Sequence, residues 1–130
     1  MQNVKNNSNK NIGDKFEKHA LDYLIKQGAN LISKQYKTKY GEIDLIIQIN
    51  QTIIFVEVKA RKSNIYGGAI YSITQAKQQK IIMSAEIFLQ QFMQDNYYNK
   101  DILHNLNYRF DVIIFQNGKI EWIQNCMESN

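Results

Sequence analysis

The sequence predicts an α/β fold: a three-layer α/β/α sandwich with a mixed central sheet, in the order α-β-β-β-α-β-β. Three observations carry that prediction. In "TIIFVEVKA" the residues Ile53, Ile54, Phe55, Val56 and Val58 place apolar side chains on both faces of one strand, which marks it as central and covered on both sides. Two stretches, one from Ile12 and one from about Thr74 to Gln94, repeat apolar residues at helical spacing. The chain closes on two apolar runs around Asn117–Gly118, a dipeptide suited to the tightest hairpin turns.

The elements follow in order. Residues 1–10, "MQNVKNNSNK", are rich in Asn and Lys without periodicity and read as a mobile polar tail. In the first helix Ile12, Phe16, Ala20, Leu21, Leu24 and Ile25 share a broad face, and Gly28 supplies the stop. "ANLISKQYKT" reads as a first strand, and "EIDLIIQI" and "TIIFVEVKA" as a strand pair about Asn50–Gln51. "SNIYGGAIYS" is a loop with two adjacent glycines. The second helix presents Ile81, Ile82, Ala85, Phe88, Leu89 and Phe92 on one face. "DNYYNKDILHNLN" reads as irregular, and "YRFDVIIFQNGKIEWI" as the closing hairpin. Residues 11–126 thus form a single domain, and residues 127–130 a C-terminal tail.

Composition narrows the function classes. At 130 residues, 44% hydrophobic and 22% charged, the chain is long enough to bury an ordinary core. A single cysteine, Cys126, excludes an internal disulfide framework and suits a reducing cytoplasm. No apolar run approaches the ~18 residues of a membrane span. The polar start lacks the apolar segment of an export signal, so a cytoplasmic location without membrane attachment is expected. The net charge of +4 permits a polyanionic partner without demanding one.

The densest set of charges lies inside the most apolar strands. Glu42, Asp44, Glu57 and Lys59 interrupt core sequence, where an unpaired charge costs several kcal/mol. If Asn50 and Gln51 are the hairpin loop, Ile49 pairs with Thr52, Asp44 falls opposite Glu57 and Glu42 opposite Lys59. A four-residue loop keeps the same pairs. Opposed residues have Cβ atoms about 4.5–5.5 Å apart, and two carboxylates so placed repel. A protonated carboxyl, a basic neighbour or a divalent cation would each relieve them. Glu-x-Lys alone recurs by chance in roughly a third of chains this long. The Asp on the neighbouring strand therefore carries most of the signal. On the residues alone, a cation site and a solvated hairpin end held by salt bridges both fit.

Other residues extend the pattern. Glu17 shares a helical face with Leu21 and Leu24 and so points to the packed side of its helix. Lys59, Arg61 and Lys62 make a basic exit toward Gly67 and Gly68, flanked by Tyr66 and Tyr71, where phosphates could be met. Arg109 and Asp111 alternate on one strand face and read as a structural ion pair, with support of the residues around the acidic cluster as the alternative. His19 and His104 read as surface or boundary residues. Trp122 reads as packing, and Cys126 has no partner for nucleophilic work.

"GDKFEKHALDYL", "YGEIDLI", "FVEVKAR" and "RFDVIIF", in this order, resemble the YraN-like bacterial family, assigned to the restriction-endonuclease-like, or PD-(D/E)XK, nuclease fold. The resemblance covers about Asn11 to Ile123. The arrangement is also similar, more loosely, to that of archaeal Holliday-junction resolvases. The resemblance implies that Asp44 and Glu57 hold a Mg²⁺ ion, with Mn²⁺ as a substitute, and that Val58 offers its backbone carbonyl. It implies that Lys59 assists the attacking water and that Glu17 orients water or a second ion. Lys77, in "SITQAKQQK", matches the lysine that follows the glycine loop and is expected, with Arg61, Lys62, Gly67 and Gly68, to face nucleic acid. Ile43 stands where the namesake proline would. The activity implied is metal-dependent endonucleolytic cleavage of DNA, of the branched or repair type. Binding of nucleic acid without turnover is the alternative. A homodimer would suit a two-strand cut, and no sequence feature establishes one.

Overall fold

The structure, a computed structural model, describes residues 4–61 and 73–127, with side chains from residue 12. The predicted Lys62, Gly67 and Gly68, with Tyr66 and Tyr71, lie outside the described residues.

Helix α1 (Val4–Lys26) opens the chain and ends at Gly28, whose φ of 99° is open to glycine at no steric cost. Its first turns use residues that the sequence predicts as polar tail. Strands β1 (Asn30–Thr38), β2 (Gly41–Ile49) and β3 (Thr52–Arg61) follow. Helix α2 (Gln75–Asp95) starts on Thr74, whose side chain accepts the Lys77 N–H at 3.1 Å as an N-cap. A short helix α3 (Lys100–His104) stands inside the stretch read as irregular, capped by Asn99. Strands β4 (Asn107–Gln116) and β5 (Lys119–Ile123) close the chain.

The five strands lie in the order β1-β2-β3-β4-β5. Only β3 and β4 run parallel, and the β3–α2–β4 crossover joins them. The sheet is therefore mixed and β3 is central, as its two-sided apolar sequence predicts. One core, built on Ile53, Phe55, Phe110, Val112 and Ile114, packs beneath Ile81, Ile82, Ala85 and Leu89 of α2. The other, built on Leu45, Ile47, Ile54, Val56 and Ile113, packs beneath Ala20 and Leu24 of α1. These are the three layers. Met127 is 4% exposed in the α2-side core, so packing continues one residue past the predicted boundary at 126.

Turn chemistry sets the register at both hairpins. Ile49 pairs with Thr52 as predicted, and Gln116 pairs with Lys119 around Asn117 (φ 53°) and Gly118 (φ 73°). Two consecutive left-handed residues match the right-handed twist of the flanking strands. Among the described residues, no helix is long and apolar enough to cross a membrane.

Candidate functional site

The predicted register holds from Ile49–Thr52 to Leu45–Val56 and then stops. The direct pairs expected beyond it, Asp44 with Glu57 and Glu42 with Lys59, are absent from the ladder. Glu42 pairs with Lys37 on β1 instead and is exposed at the sheet edge, outside the cluster.

The cause is a break of phase in β2. Leu45 and Ile47 pack on the α1 side and Ile46 on the α2 side, so alternation would send Ile43 to the α1 side. Ile43 packs instead in the α2-side core. The residue between the two phases is Asp44. Across from it on β1, Gln35 adopts φ 52°, and the ladder skips from Tyr36–Ile43 to Lys34–Leu45. A non-glycine residue in the left-handed region costs of order 1–3 kcal/mol, and such strain gathers where a structure holds a side chain for a purpose.

Asp44 uses the gap. Its Oδ2 accepts the Val58 N–H at 2.8 Å, so the carboxyl takes the ladder position that β2 backbone has vacated. A strand residue presents its N–H and C=O on the same edge, so the Val58 carbonyl also faces this opening. Glu57 is buried at 5% exposure, on the side of the sheet that α2 covers, and its Oε1 accepts from Lys77 Nζ at 2.8 Å. Glu17 reaches the same place from α1, close enough to hydrogen-bond with Asp44, and accepts from Gln35 Nε2 at 2.9 Å. Lys59 follows Glu57 on β3 and interacts with Lys77.

Glu17 from α1 and Glu57 from β3 thus both come within interaction range of Asp44 on β2. The electrostatic consequence falls on Asp44. Burial raises its pKa to about 8, the Glu57 and Glu17 charges push the same way, and the Val58 N–H opposes them. Burial works against the Lys77 ammonium, but its hydrogen bond to Glu57 and the Glu57 and Asp44 charges outweigh that, so its pKa is raised. Of the three remedies the sequence allows, a protonated carboxyl and a basic neighbour are both in use. The basic neighbour is Lys77, which the family resemblance implies should face nucleic acid.

The donor set fits a hard divalent cation. Two carboxylates and a backbone carbonyl, completed by water, match what Mg²⁺ takes from a protein. Such an ion would oppose both the burial and the neighbouring carboxylates that raise the Asp44 pKa. Among the described residues no three Asp, Glu, His or Cys side chains form a ready metal cage. An ion here would draw on few side chains and would have to compete with Lys77 for Glu57.

The remaining predicted residues fall elsewhere. Arg109 Nε bonds Asp111 at 3.1 and 3.2 Å, and Asp111, fully buried, also accepts from Trp122 Nε1 and the Asn125 N–H. This is the structural ion pair expected. The Cys126 thiol is pushed up to about 11 by burial and by the Asp111 charge, which keeps it un-ionised and poorly nucleophilic.

The model of the uncharacterised protein family UPF0102 matches residues 16–115, a span that holds Glu17, Asp44, Glu57, Lys59 and Lys77. The chain belongs to the UPF0102 family. It is 42% identical over 122 residues to the UPF0102 protein VP0448 of Vibrio parahaemolyticus, covering 92% of this chain and 94% of that protein. A UPF0102 protein of Saccharophagus degradans is 42% identical over 118 residues, covering 91% of this chain and 93% of its own. The UPF0102 protein YraN of Escherichia fergusonii is 33% identical over 121 residues, covering 93% and 87%. The YraN-like resemblance carried by the four sequence motifs is thereby a family membership.

In this UPF0102 protein, sequence reasoning missed Gln35. Its Nε2 bridges Asp14 Oδ1 at 3.0 Å and Glu17 Oε2 at 2.9 Å, tying α1 to the kinked edge of the sheet. A glutamine in a polar strand carries no signal of a positive φ, so nothing in the sequence marks it.

Proposed function

We propose that this protein is a metal-dependent endonuclease that hydrolyses phosphodiester bonds in DNA, branched or repair intermediates being the expected substrates. The observation that carries the proposal is the approach of Glu57 and Glu17 to Asp44 where β2 breaks phase, with the Asp44 pKa raised by burial first and by the two neighbouring carboxylates next. Ordinary folds do not gather three acids at the edge of a core without a use for them, and perturbed carboxyls of this kind concentrate at catalytic sites. Asp44 and Glu57, with the Val58 carbonyl, would hold Mg²⁺ or Mn²⁺. Bound there, the ion would supply Lewis-acid polarisation of a phosphate oxygen and a water acidic enough to attack at neutral pH.

The chain's own residues have separate tasks. The Val58 N–H fixes the Asp44 carboxyl through Oδ2, and an ion would take the place of the proton that Asp44 shares with Glu17. Glu17, held by the Gln35 amide, would orient a water beside Asp44. Lys59 extends from the same strand as Glu57, where its ammonium can position the attacking water or the scissile phosphate. Arg61, two residues further along β3, extends the positive charge along the expected path of the backbone.

One observation favours a second reading, nucleic-acid binding without turnover. Lys77 sits on Glu57 at 2.8 Å and neutralises part of the charge that a cation would take. Incubation with labelled linear, single-stranded, flapped and four-way DNA, with Mg²⁺, Mn²⁺ or chelator, separates the two. Cleavage that needs the ion and is lost in Asp44→Ala and Lys59→Ala supports the nuclease. Tight binding without metal-dependent cleavage of any substrate establishes the binder.

A further inference from the structure

Among the described residues Glu57 makes one ion pair, with Lys77 Nζ at 2.8 Å from its Oε1. The two partners are held very differently. The Glu57 side chain is 5% exposed on the central strand, whereas that of Lys77 is 44% exposed. The backbone of Lys77 is fixed, because its N–H donates to the capping Thr74 side chain at 3.1 Å. Its ammonium is not, since a flexible four-carbon stem carries the charge. Lys77 can therefore change acceptors without disturbing α2, and the buried Glu57 has no such freedom.

Glu57 is also one of the two carboxylates proposed to hold the divalent cation. An ammonium on Oε1 and an ion at the same carboxylate repel each other, so the mobile ammonium is the one to give way. The lysines beside it do not neutralise it. Lys59 stands two residues beyond Glu57 on β3 and interacts with Lys77. Lys80 follows one turn along α2, its Cβ close against Gly41 at the start of β2. Three lysines and a divalent ion outnumber the charges of Asp44, Glu57 and Glu17, so the loaded site calls for a further anion. A phosphodiester supplies one, with one free oxygen for the ion and one for the ammonium.

We infer that Lys77 is a substrate-phosphate ligand that Glu57 holds back: Lys77 leaves Glu57 to the divalent cation, and its freed ammonium binds the phosphodiester that the cation also meets. Cation and nucleic acid then bind with positive linkage, each raising the affinity for the other by the same factor. Without the ion Lys77 stays on Glu57, and the site holds a phosphate weakly. The chain thereby engages nucleic acid at the carboxylates only when the ion needed for hydrolysis is in place. The inference rests on the nuclease reading for the identity of cation and polymer, and its test reads binding alone.

The test is fluorescence anisotropy of labelled single-stranded, duplex and four-way DNA with the full chain, in Ca²⁺ and in chelator. Ca²⁺ is a hard cation that takes oxygen ligands, and ionic strength is matched because salt alone weakens binding to phosphates. Ca²⁺ should tighten the binding of at least one DNA by about tenfold in the parent, and by calorimetry that DNA should tighten Ca²⁺ equally. Asp44→Asn, which lacks the ion, should show no tightening. Lys77→Met should bind Ca²⁺ alone more tightly than the parent does, yet gain less than about threefold in DNA affinity from it. Lys77→Arg restores the charge and should recover the tightening. Lys80→Met removes a charge one turn away and should weaken DNA binding equally with and without Ca²⁺, leaving the linkage intact. Equal tightening in Lys77→Met and the parent, or no tightening by Ca²⁺ on any DNA, would overturn the inference. Cleavage in Mg²⁺ without linkage would overturn it and leave the nuclease reading standing, whereas linkage without cleavage would do the reverse.

Discussion

Replacing Asp44 with asparagine should stabilise the protein at alkaline pH, which is the reverse of what removing a well-paired carboxylate does. In the folded protein Asp44 titrates at about 8 against an ordinary value of 3.8, because burial and then the Glu57 charge disfavour its ionised form. A raised carboxyl leaves stability intact below the unfolded value, where both states are protonated. Stability is then lost as pH climbs toward the folded value, since only the unfolded chain releases the proton. At 1.36 kcal/mol per pKa unit, the loss is about 2 kcal/mol by pH 5 and on the order of 6 kcal/mol by pH 9. The amide of the Asp44→Asn variant keeps an acceptor for the Val58 N–H and a donor toward Glu17, and it does not titrate. The gap between the variant and the parent should therefore widen by about 4 kcal/mol between pH 5 and pH 9, a large part of a domain's total stability. Urea unfolding at pH 5, 7 and 9 with chelator present measures it. Saturating Mg²⁺ should narrow the gap, because only the parent gains from the ion. Parallel pH profiles for the two proteins would refute the placement of Asp44 as a buried carboxyl with a raised pKa.

Three further outcomes follow from the same geometry. Lys77→Met leaves Glu57 without its partner and should cost about 1–3 kcal/mol without divalent ions, less than a fully buried pair because Lys77 is 44% exposed. The same variant should bind Mn²⁺ more tightly by calorimetry, since the competitor for Glu57 is gone, and weaker binding would make Lys77 part of the cation site. Asp111→Ala strands Arg109, the Trp122 indole and the Asn125 N–H, and should lower stability by roughly 3–5 kcal/mol in urea unfolding while the folded fraction keeps its cation affinity. Gly118→Ala, at φ 73° with open space around its Cβ position, should cost about 1–2 kcal/mol through backbone strain alone, with no change in cation affinity.

Much of this molecule was legible in the chain because local chemistry fixes it. The two-residue loops at Asn50–Gln51 and Asn117–Gly118 set the hairpin registers, and the two-sided apolar run at Ile53–Val58 placed β3 at the centre. Glu17 was found because helical periodicity alone puts it on the packed face. The direct Asp44–Glu57 pair was not formed, because the register stops where β2 changes phase. That change depends on a left-handed Gln35 on the neighbouring strand, which pattern reading along a single strand cannot see. Helix α3 was missed since five residues are too few to show a period. Lys77 reads as facing nucleic acid because it matches a basic position on a helix. Its ion pair with Glu57 spans twenty residues of sequence and exists only once α2 packs on the sheet.

Asp44 of β2 and Glu57 of β3, with the Val58 carbonyl, are proposed to hold a divalent cation. Calorimetric titration of the intact chain with Mg²⁺ and Mn²⁺ from pH 6 to pH 9 tests it most directly. A cation must displace the proton on Asp44, so affinity should rise about tenfold per pH unit up to about pH 8 and level off above it, with close to one proton released per ion at the low end. Asp44→Asn should abolish both the binding and its pH dependence. Binding that ignores pH, or that survives the loss of Asp44, would contradict the site.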